Sequence, residues 1–185
     1  MPRFSIHAIG TNRPGIVFGV TEAIAAHGWD IGDAEMTILE TQFAISLVID
    51  SGVISDGRVI EEALSPVTEE MNLFFAVLPI NGDPTPVVGG ATLAAKVVGP
   101  NRPGIIAQLA RVFTDVEADI RHLDSRLVSD GTQTLSVTEL SATIPSTVDP
   151  STVQATLEEI ARKLGAECSV LERAGGIAAA YLAGE

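Results

Sequence analysis

Two short stretches of this sequence combine residues that could bind a small carboxylate. Residues 12–16 and 101–105 both read Asn-Arg-Pro-Gly-Ile. If a helix follows each stretch, its first turn presents backbone N–H groups with no partner inside the helix, and the helix dipole adds partial positive charge. Gly15 and Gly104 have no side chain, so a ligand could come close to the backbone. Proline and glycine are also an ordinary way to begin a helix, and that interpretation stays open.

The residues around each stretch predict a strand before it and a helix after it. Positions 4–8 and 93–97 alternate apolar and polar side chains, as a half-buried strand does. Positions 16–24 and 105–113 instead repeat an apolar side chain every four residues, which gives a helix one apolar stripe. Each stretch is therefore expected to be the turn of a strand-turn-helix unit.

The same stretches predict how the two helices begin. Pro14 and Pro103 suit the first helical turn, where a missing N–H costs nothing and φ is already helical. The side-chain oxygens of Asn12 and Asn101 are expected to cap the helices by accepting from a free backbone N–H. Gly28 is expected to end the first helix.

The two halves of the chain are copies of one another. Gly10 and residues 12–16 recur as Gly99 and residues 101–105 at a constant offset of 89, and Asp30-Ile31 recurs at the same offset. In the second copy, residues 129–132 (Ser-Asp-Gly-Thr) predict a hairpin turn. We expect one extra residue there, which pairs Ile45-Ser46 with Leu135-Ser136 at an offset of 90.

The remaining elements complete a βαββαβ order in each half. Strands are predicted over 30–40 and 43–49, and a helix over 56–65 that Pro66 should end. The counterpart of that helix begins near Asp149-Pro150, and the last strands cover 72–79 and 167–173. The predicted fold is α+β, with tandem ferredoxin-like units that each place both helices on one face of an antiparallel sheet.

The sequence divides into two domains, a linker and a tail. The first domain is expected over 1–80, a Gly/Pro-rich linker over 81–91, the second domain over 92–173 and an apolar tail over 174–185. Residues 1–80 carry three bases against eleven acids, a net charge of −8, while residues 92–173 carry eight bases against eleven acids, a net charge of −3. The two copies are therefore expected to have divided roles.

Asp30 and Asp119 begin the second strand of each unit and could bind an ammonium group. We expect this strand to run beside the first one, so that the aspartate lies near the Asn-Arg-Pro-Gly turn. Backbone N–H groups and this carboxylate would then form a clamp for an amino acid.

Composition excludes several other classes of function. The net charge of −13, the small number of aromatic residues and the acidic face predicted for the second strand argue against binding nucleic acid or an anionic membrane surface. No membrane span, signal peptide, disulfide framework, catalytic motif, cofactor loop or metal site is evident, so a cytoplasmic protein without a cofactor is expected. His7, His27 and His122 lack the spacing of metal ligands, and Cys168 suits a buried structural thiol.

Two copies of Asn-Arg-Pro-Gly-Ile that each open a βαββαβ unit resemble the ACT domain family. In the first half, residues 27–31 (His-Gly-Trp-Asp-Ile), Met36 and Phe43-Ala44 make the chain similar to the two-ACT proteins grouped as glycine cleavage system transcriptional repressors. The resemblance covers residues 3 to about 173. The loops here have Asn where the family usually has Asp, and Asp30 and Asp119 stand where many ACT domains have Asn.

The resemblance implies a non-catalytic regulatory protein that binds a small amino acid, generally where two ACT units meet, and acts through a partner protein. A homodimer is expected. The alternatives are a regulatory subunit of an amino-acid metabolic enzyme and a structural dimerisation module with empty sites. The implied ligand residues are Asn12, Arg13, Pro14, Gly15, Ile16, Val17 and Asp30 in the first unit, with Asn101, Arg102, Pro103, Gly104, Ile105, Ile106 and Asp119 in the second.

Overall fold

A computed structural model of the chain describes residues 2–52, 54–82, 90–129 and 131–173. The chain divides into two units, Met1–Asp83 and Pro84–Glu185. The predicted tail and most of the predicted linker lie outside the described residues. The first unit contains β1 (Arg3–Thr11), α1 (Ile16–Ala26), β2 (Asp30–Leu39), β3 (Gln42–Asp50), α2 (Gly57–Glu70) and β4 (Phe74–Ile80).

The second unit repeats this order of elements. Each unit contains one antiparallel sheet of four strands, so the predicted α+β fold of tandem ferredoxin-like units is confirmed. Within the described residues, no helix is both long and apolar enough to cross a membrane. The elements are β5 (Thr92–Pro100), α3 (Ile105–Asp115), β6 (Asp119–Ser129), β7 (Thr134–Thr143), α4 (Pro150–Leu164) and β8 (Glu167–Arg173).

The order of strands differs from one sequence-based expectation. The sheets run β2-β3-β1-β4 and β6-β7-β5-β8, so β3 separates β2 from β1, and β7 separates β6 from β5. The expectation that β2 lies beside β1 is therefore wrong. The two-residue turn after β2 folds β3 back as a hairpin, and β3 rather than β2 takes the place next to β1.

Each core lies between one sheet face and its two helices. In the first unit, alternate residues of β1 and β3 face the apolar stripe of α1, and the predicted trio Ile16, Val20 and Ile24 is fully buried. The stripe of α3 is buried in the same way in the second unit. This packing holds each helix, and so the turn before it, in place on the sheet.

Pro66 does not end α2, as the sequence suggested. The helix runs from Gly57 to Glu70 with Pro66 inside it. Proline removes the N–H that would bond to the carbonyl of Glu62, and the hydroxyl of Ser65 donates to that carbonyl instead at 3.2 Å. Burial of Ile60 and Leu64 on one stripe holds the rest of the helix in place.

The hairpin of the second unit is longer than expected. β2 and β3 are joined by two residues, whereas residues 130–133 join β6 and β7. The offset between the copies therefore grows from 89 to 93, since Gly10 pairs with Phe43 and Gly99 pairs with Ser136. The expected pairing of Ile45-Ser46 with Leu135-Ser136 is wrong, and strand register decides the true equivalence.

The corrected offset reveals a buried polar cluster in the second unit. Ser136 and Thr138 are buried where the first unit has Phe43 and Ile45. Their hydroxyls lie 3.4 Å apart, and the hydroxyl of Ser125 lies 2.9 Å from that of Thr138. These hydrogen bonds offset the cost of burying the hydroxyls in an apolar layer.

Candidate functional site

Glycine, not asparagine, begins the helices that follow the two repeated turns. α1 begins at Ile16 with Gly15 as its N-cap residue, at φ 95°, and no side chain caps it. α3 begins in the same way after Gly104, at φ 86°. The predicted side-chain caps from Asn12 and Asn101 are therefore wrong, because Gly15 and Gly104 occupy the N-cap positions, three residues beyond the asparagines. Proline lies just outside the helix rather than inside its first turn.

Uncapped backbone donors remain at both helix starts, as a carboxylate site requires. The carbonyl of Gly15 accepts from the N–H of Gly19 at 2.9 Å, and the carbonyl of Gly104 accepts from Gln108 at 3.0 Å. The N–H groups between these residues have no side-chain cap. Residues 12–15 and 101–104 are exposed, so solvent reaches both turns.

The two turn glycines have a structural reason. Their positive φ values lie in the left-handed region, which side chains with a Cβ rarely adopt. The space around Gly15 is nonetheless open, with no atom within 4 Å of where a Cβ would lie. Glycine is therefore required by the backbone, while the open space leaves room for a ligand.

Asp30 and Asp119 lie at the far end of their sheets from these turns. Asp30 pairs with Asp50, which pairs with Arg3 at the beginning of β1. The turn at Asn12 follows the other end of β1, roughly 26 Å away at about 3.3 Å per residue. Asp119 is placed in the same way in the second unit. A clamp built from the turn and the aspartate of one unit is therefore excluded.

Arg13 and Arg102 occupy equivalent places in the repeat but have different contacts. Arg13 donates from Nη2 to the backbone carbonyl of Glu70 at 2.9 Å, which joins the first turn to the end of α2. Arg102 is exposed and makes no hydrogen bond or ion pair with any residue in the described part of the chain. Of the two arginines, Arg13 thus has a structural contact in its own unit.

Residues that the sequence did not point to also surround the first turn. The N–H of Asn12 donates to the carbonyl of Thr41 at 2.7 Å, so the β2–β3 turn lies beside it. Glu40 lies in that turn and is therefore an acidic residue at the end of the sheet opposite Asp30. Only the strand register shows this, because nothing in the local sequence connects Glu40 with Asn12.

The position four residues into each helix also differs between the units. Gly19 lets α1 approach α2, since a Cβ there would lie 2.2 Å from the terminal carbon of Met71. The equivalent residue in α3 is Gln108, which is exposed and whose side-chain nitrogen lies 3.9 Å from where a Cβ of Gly104 would be. The second turn therefore has an additional polar side chain beside it.

His7, His27 and Cys168 have structural contacts. His7 lies between the hydroxyls of Ser46, at 3.0 Å, and Ser5, at 3.2 Å. His27 stacks on Trp29 with ring centroids 4.8 Å apart. Burial raises the pKa of the Cys168 thiol, which keeps it protonated and a weak nucleophile. In the described ranges, no three His, Cys, Asp or Glu side chains are grouped to hold a metal ion.

Comparison with known proteins places this geometry in a family. The model of the ACT domain matches residues 3–77. A UPF0237 protein of Methanopyrus kandleri is 35% identical over 75 residues, which are 40% of this chain and 82% of that protein. The matched stretch of the ACT model includes the first Asn-Arg-Pro-Gly turn and every strand of the first sheet at least in part.

Two further relatives extend over both units. The glycine cleavage system transcriptional repressor of Escherichia coli is 23% identical over 167 residues, which cover 89% of this chain and 87% of the repressor. A crystal structure of an unknown protein from Galdieria sulphuraria shares the fold with a TM-score of 0.80 at 19% identity, over 94% of this chain and 99% of that one. The chain belongs to the ACT domain family, as a two-ACT protein related to the glycine cleavage system transcriptional repressor.

Proposed function

We propose that this protein is a regulatory sensor or adaptor that binds a small amino acid and controls amino-acid metabolism through a partner protein. The supporting observation is the duplicated turn, in which an exposed left-handed glycine precedes helical N–H groups that no side chain caps. The relation to a glycine cleavage system transcriptional repressor supports a role in regulation and makes glycine and serine the first ligands to test.

The carboxylate of the amino acid is proposed to bind the free N–H groups at the start of α1 or α3. Three backbone donors and the positive end of a helix dipole suit a small anion. The residues proposed for this contact remain those of the two turns, residues 12–17 and 101–106. Their open surroundings at Gly15 support the proposal, since a ligand could reach the backbone there.

The ammonium group needs an acceptor that the same unit does not supply from the start of its second strand. Asp30 or Asp119 can contribute only from a different ACT unit, because each lies at the other end of its own sheet. Within the first unit, Glu40 is one acidic residue close to the turn, since the neighbouring Thr41 accepts from the N–H of Asn12. Exchange of Glu40 for Gln and of Asp30 for Asn would separate these two possibilities.

The protein is proposed to have no catalytic activity of its own. The chemistry of the turn, backbone N–H groups and exposed side chains, binds anions but supplies no activated nucleophile or general base. Ligand binding can change a partner interaction only if the two states of the protein bind the amino acid with different affinity. The partner is proposed to be a regulatory protein or an enzyme of amino-acid metabolism.

Isothermal calorimetry with all twenty amino acids tests the proposal. We expect heat of binding with at least one small amino acid at millimolar concentration or below. Gly15→Leu and Gly104→Leu together should abolish that heat while circular dichroism shows a folded protein. An absence of heat from every amino acid with the unaltered protein would reject ligand binding and favour a structural dimerisation module.

A matched control is needed because leucine is strained at any positive φ. Gly52 has φ 63° with no atom within 4 Å of where a Cβ would lie, and it follows β3 at the end of the sheet opposite the first turn. Gly52→Leu should carry a comparable backbone penalty and retain ligand binding. Loss of binding in this control as well would mean that the turn variants act through stability alone.

A further inference from the structure

The backbone bonds at the end of α2 do not use the carbonyl of Glu70. The N–H of Leu73 donates to the carbonyl of Thr68 at 2.8 Å, and the N–H of Asn72 donates to that of Glu69 at 3.0 Å. Asn72 has φ 51°, so these bonds form the usual reversal that ends a helix. The carbonyl of Glu70 is the next one along and takes no part in this pattern.

Arg13 supplies the donor for that carbonyl. Its guanidinium donates from Nη2 to the oxygen of Glu70 at 2.9 Å. The last turn of α2 contains no basic residue, and Glu69 and Glu70 place two acids at the negative end of the helix dipole. Arg13 therefore brings both a hydrogen-bond donor and a positive charge to a helix end that lacks them.

The equivalent helix end in the second unit carries basic residues of its own. α4 ends with the same pair of bonds, from Ala166 to Ala161 at 2.8 Å and from Gly165 to Arg162 at 3.1 Å. Its last turn contains Arg162 and Lys163 at the positions where α2 has its two acids. The charge at this end has thus reversed between the copies.

The contacts of Arg13 and Arg102 differ in line with this change of charge. Both units hold the end of their first strand tightly against the segment after the second helix: a Cβ on Gly10 would lie 2.7 Å from Leu73, and one on Gly99 would lie 2.4 Å from Ala166. The turn that contains each arginine therefore lies near the end of the second helix of the same unit. Arg13 bonds there, while Arg102 has no partner among the residues that the structure describes.

We propose that Arg13 is a positioning residue that fastens the first turn to α2, and that Arg102 is the arginine free to meet a ligand. The role of Arg102 in ligand binding rests on the proposed function, whereas the role of Arg13 does not depend on any ligand. The two turns would then be unequal, with the first shaped by its own helix end and the second able to adapt to a carboxylate.

Hydrogen exchange of the whole protein tests the role of Arg13 without any ligand. Arg13→Met should speed exchange of the Asn72 and Leu73 amides about 3–10-fold, since the helix end loses one cap. Arg13→Lys should restore most of the protection by keeping one donor and the charge. Arg102→Met is the matched variant, and the amides of Gly165 and Ala166 should exchange as in the unaltered protein. Equal effects of the two methionine variants on their own helix ends, or none from either, would overturn the proposal.

Calorimetry with glycine and L-serine tests the ligand half. Arg102→Met should raise the Kd of whichever of them binds about tenfold, the effect of losing one charge-assisted contact. Arg13→Met should raise it by a smaller factor, because Arg13 is proposed to shape the first turn and not to touch the ligand. An equal or larger loss with Arg13→Met than with Arg102→Met would overturn the assignment. If the unaltered protein binds neither these nor any other amino acid, the proposed function fails, and the exchange result alone decides the role of Arg13.

Discussion

The hydroxyl of Ser65 donates to the carbonyl of Glu62 at 3.2 Å, and this is the carbonyl that Pro66 leaves without an N–H partner. A helix that proline should end therefore continues for four more residues. A side-chain donor one position before the proline substitutes for the missing backbone donor.

This relationship predicts a coupling between Ser65 and Pro66. Ser65→Ala should lower the free energy of unfolding by about 0.5–1 kcal/mol, because the Glu62 carbonyl then has only solvent. In a Pro66→Ala background, where the backbone N–H returns, the same change should cost much less. Urea unfolding of the four proteins of this double-mutant cycle measures the coupling. Equal costs in both backgrounds would show that Ser65 does not compensate for the proline.

The turn glycines should be sensitive to any Cβ even without a ligand. Gly15→Ala should destabilise the first unit by about 1–2 kcal/mol, because φ is 95°, and Gly15→Asn should cost less because asparagine tolerates the left-handed region. Gly32 has no such φ, and its nearest contact would be ordinary at 3.7 Å. Gly32→Ala is therefore the control and should change thermal unfolding little. A harmless Gly15→Ala would argue against the left-handed turn.

The buried hydroxyls of Ser136 and Thr138 should contribute to the free energy of unfolding mainly through their bond to each other. Thr138→Val should cost about 1–2 kcal/mol, because Ser136 then lacks its buried partner. The double variant Ser136→Ala with Thr138→Val should be no worse than the single one, since an unsatisfied buried group is the main cost. Chemical denaturation compares them, and additive losses would contradict this explanation.

The ion pair between Lys96 and Glu139 predicts a small pH effect on stability. The ammonium of Lys96, 2.8 Å away, lowers the pKa of Glu139 below its ordinary value of 4.5. Because the folded pKa is depressed, the stabilisation is present above about pH 4.5 and is lost as pH falls through the folded pKa. Both side chains are more than a third exposed, so we expect only about 0.2–1 kcal/mol.

Lys96→Met isolates this contribution. The variant should lose a few tenths of a kcal/mol at pH 7, a loss that shrinks as the pH falls below about 4.5. An NMR titration should show the pKa of Glu139 rising toward its ordinary value. Arg126 also lies 3.8 Å from Glu139, so Arg126→Met should produce a weaker shift in the same direction. A titration of Glu139 that neither variant alters would contradict the assignment of this ion pair.

The sequence predicted the elements and their order well because both depend on local patterns. Apolar periodicity placed β1 and α1, and the same pattern recurred in the second copy at β5 and α3. What it could not predict depends on contacts between residues far apart in the chain. Nothing beside Asp30 indicates that β3 would separate it from the first turn, and nothing beside Arg13 indicates the carbonyl of Glu70.

Local chemistry also misled where a second side chain intervened. Pro66 alone predicts the end of a helix, but α2 continues through it because the hydroxyl of Ser65 donates to the carbonyl that the proline leaves without an N–H. Asn12 suits an N-cap by residue type, yet the φ of Gly15 gives that position to the glycine. The candidate residues came from residue types in the two turns and from the resemblance to the ACT family, while the contact of Arg13 with Glu70 is visible only in the structure.

The longer hairpin of the second unit has a consequence for recombination between the two halves of the gene. A crossover that follows the sequence alignment of Ile45 with Leu135 would join the two β3-type strands three positions out of register, because Ile45 corresponds to Thr138 in the sheets. Three is odd, so every side chain of the joined strand would turn to the opposite face of the sheet. Functional chimeras should therefore cross over at Gly10 and Gly99, ahead of the hairpin.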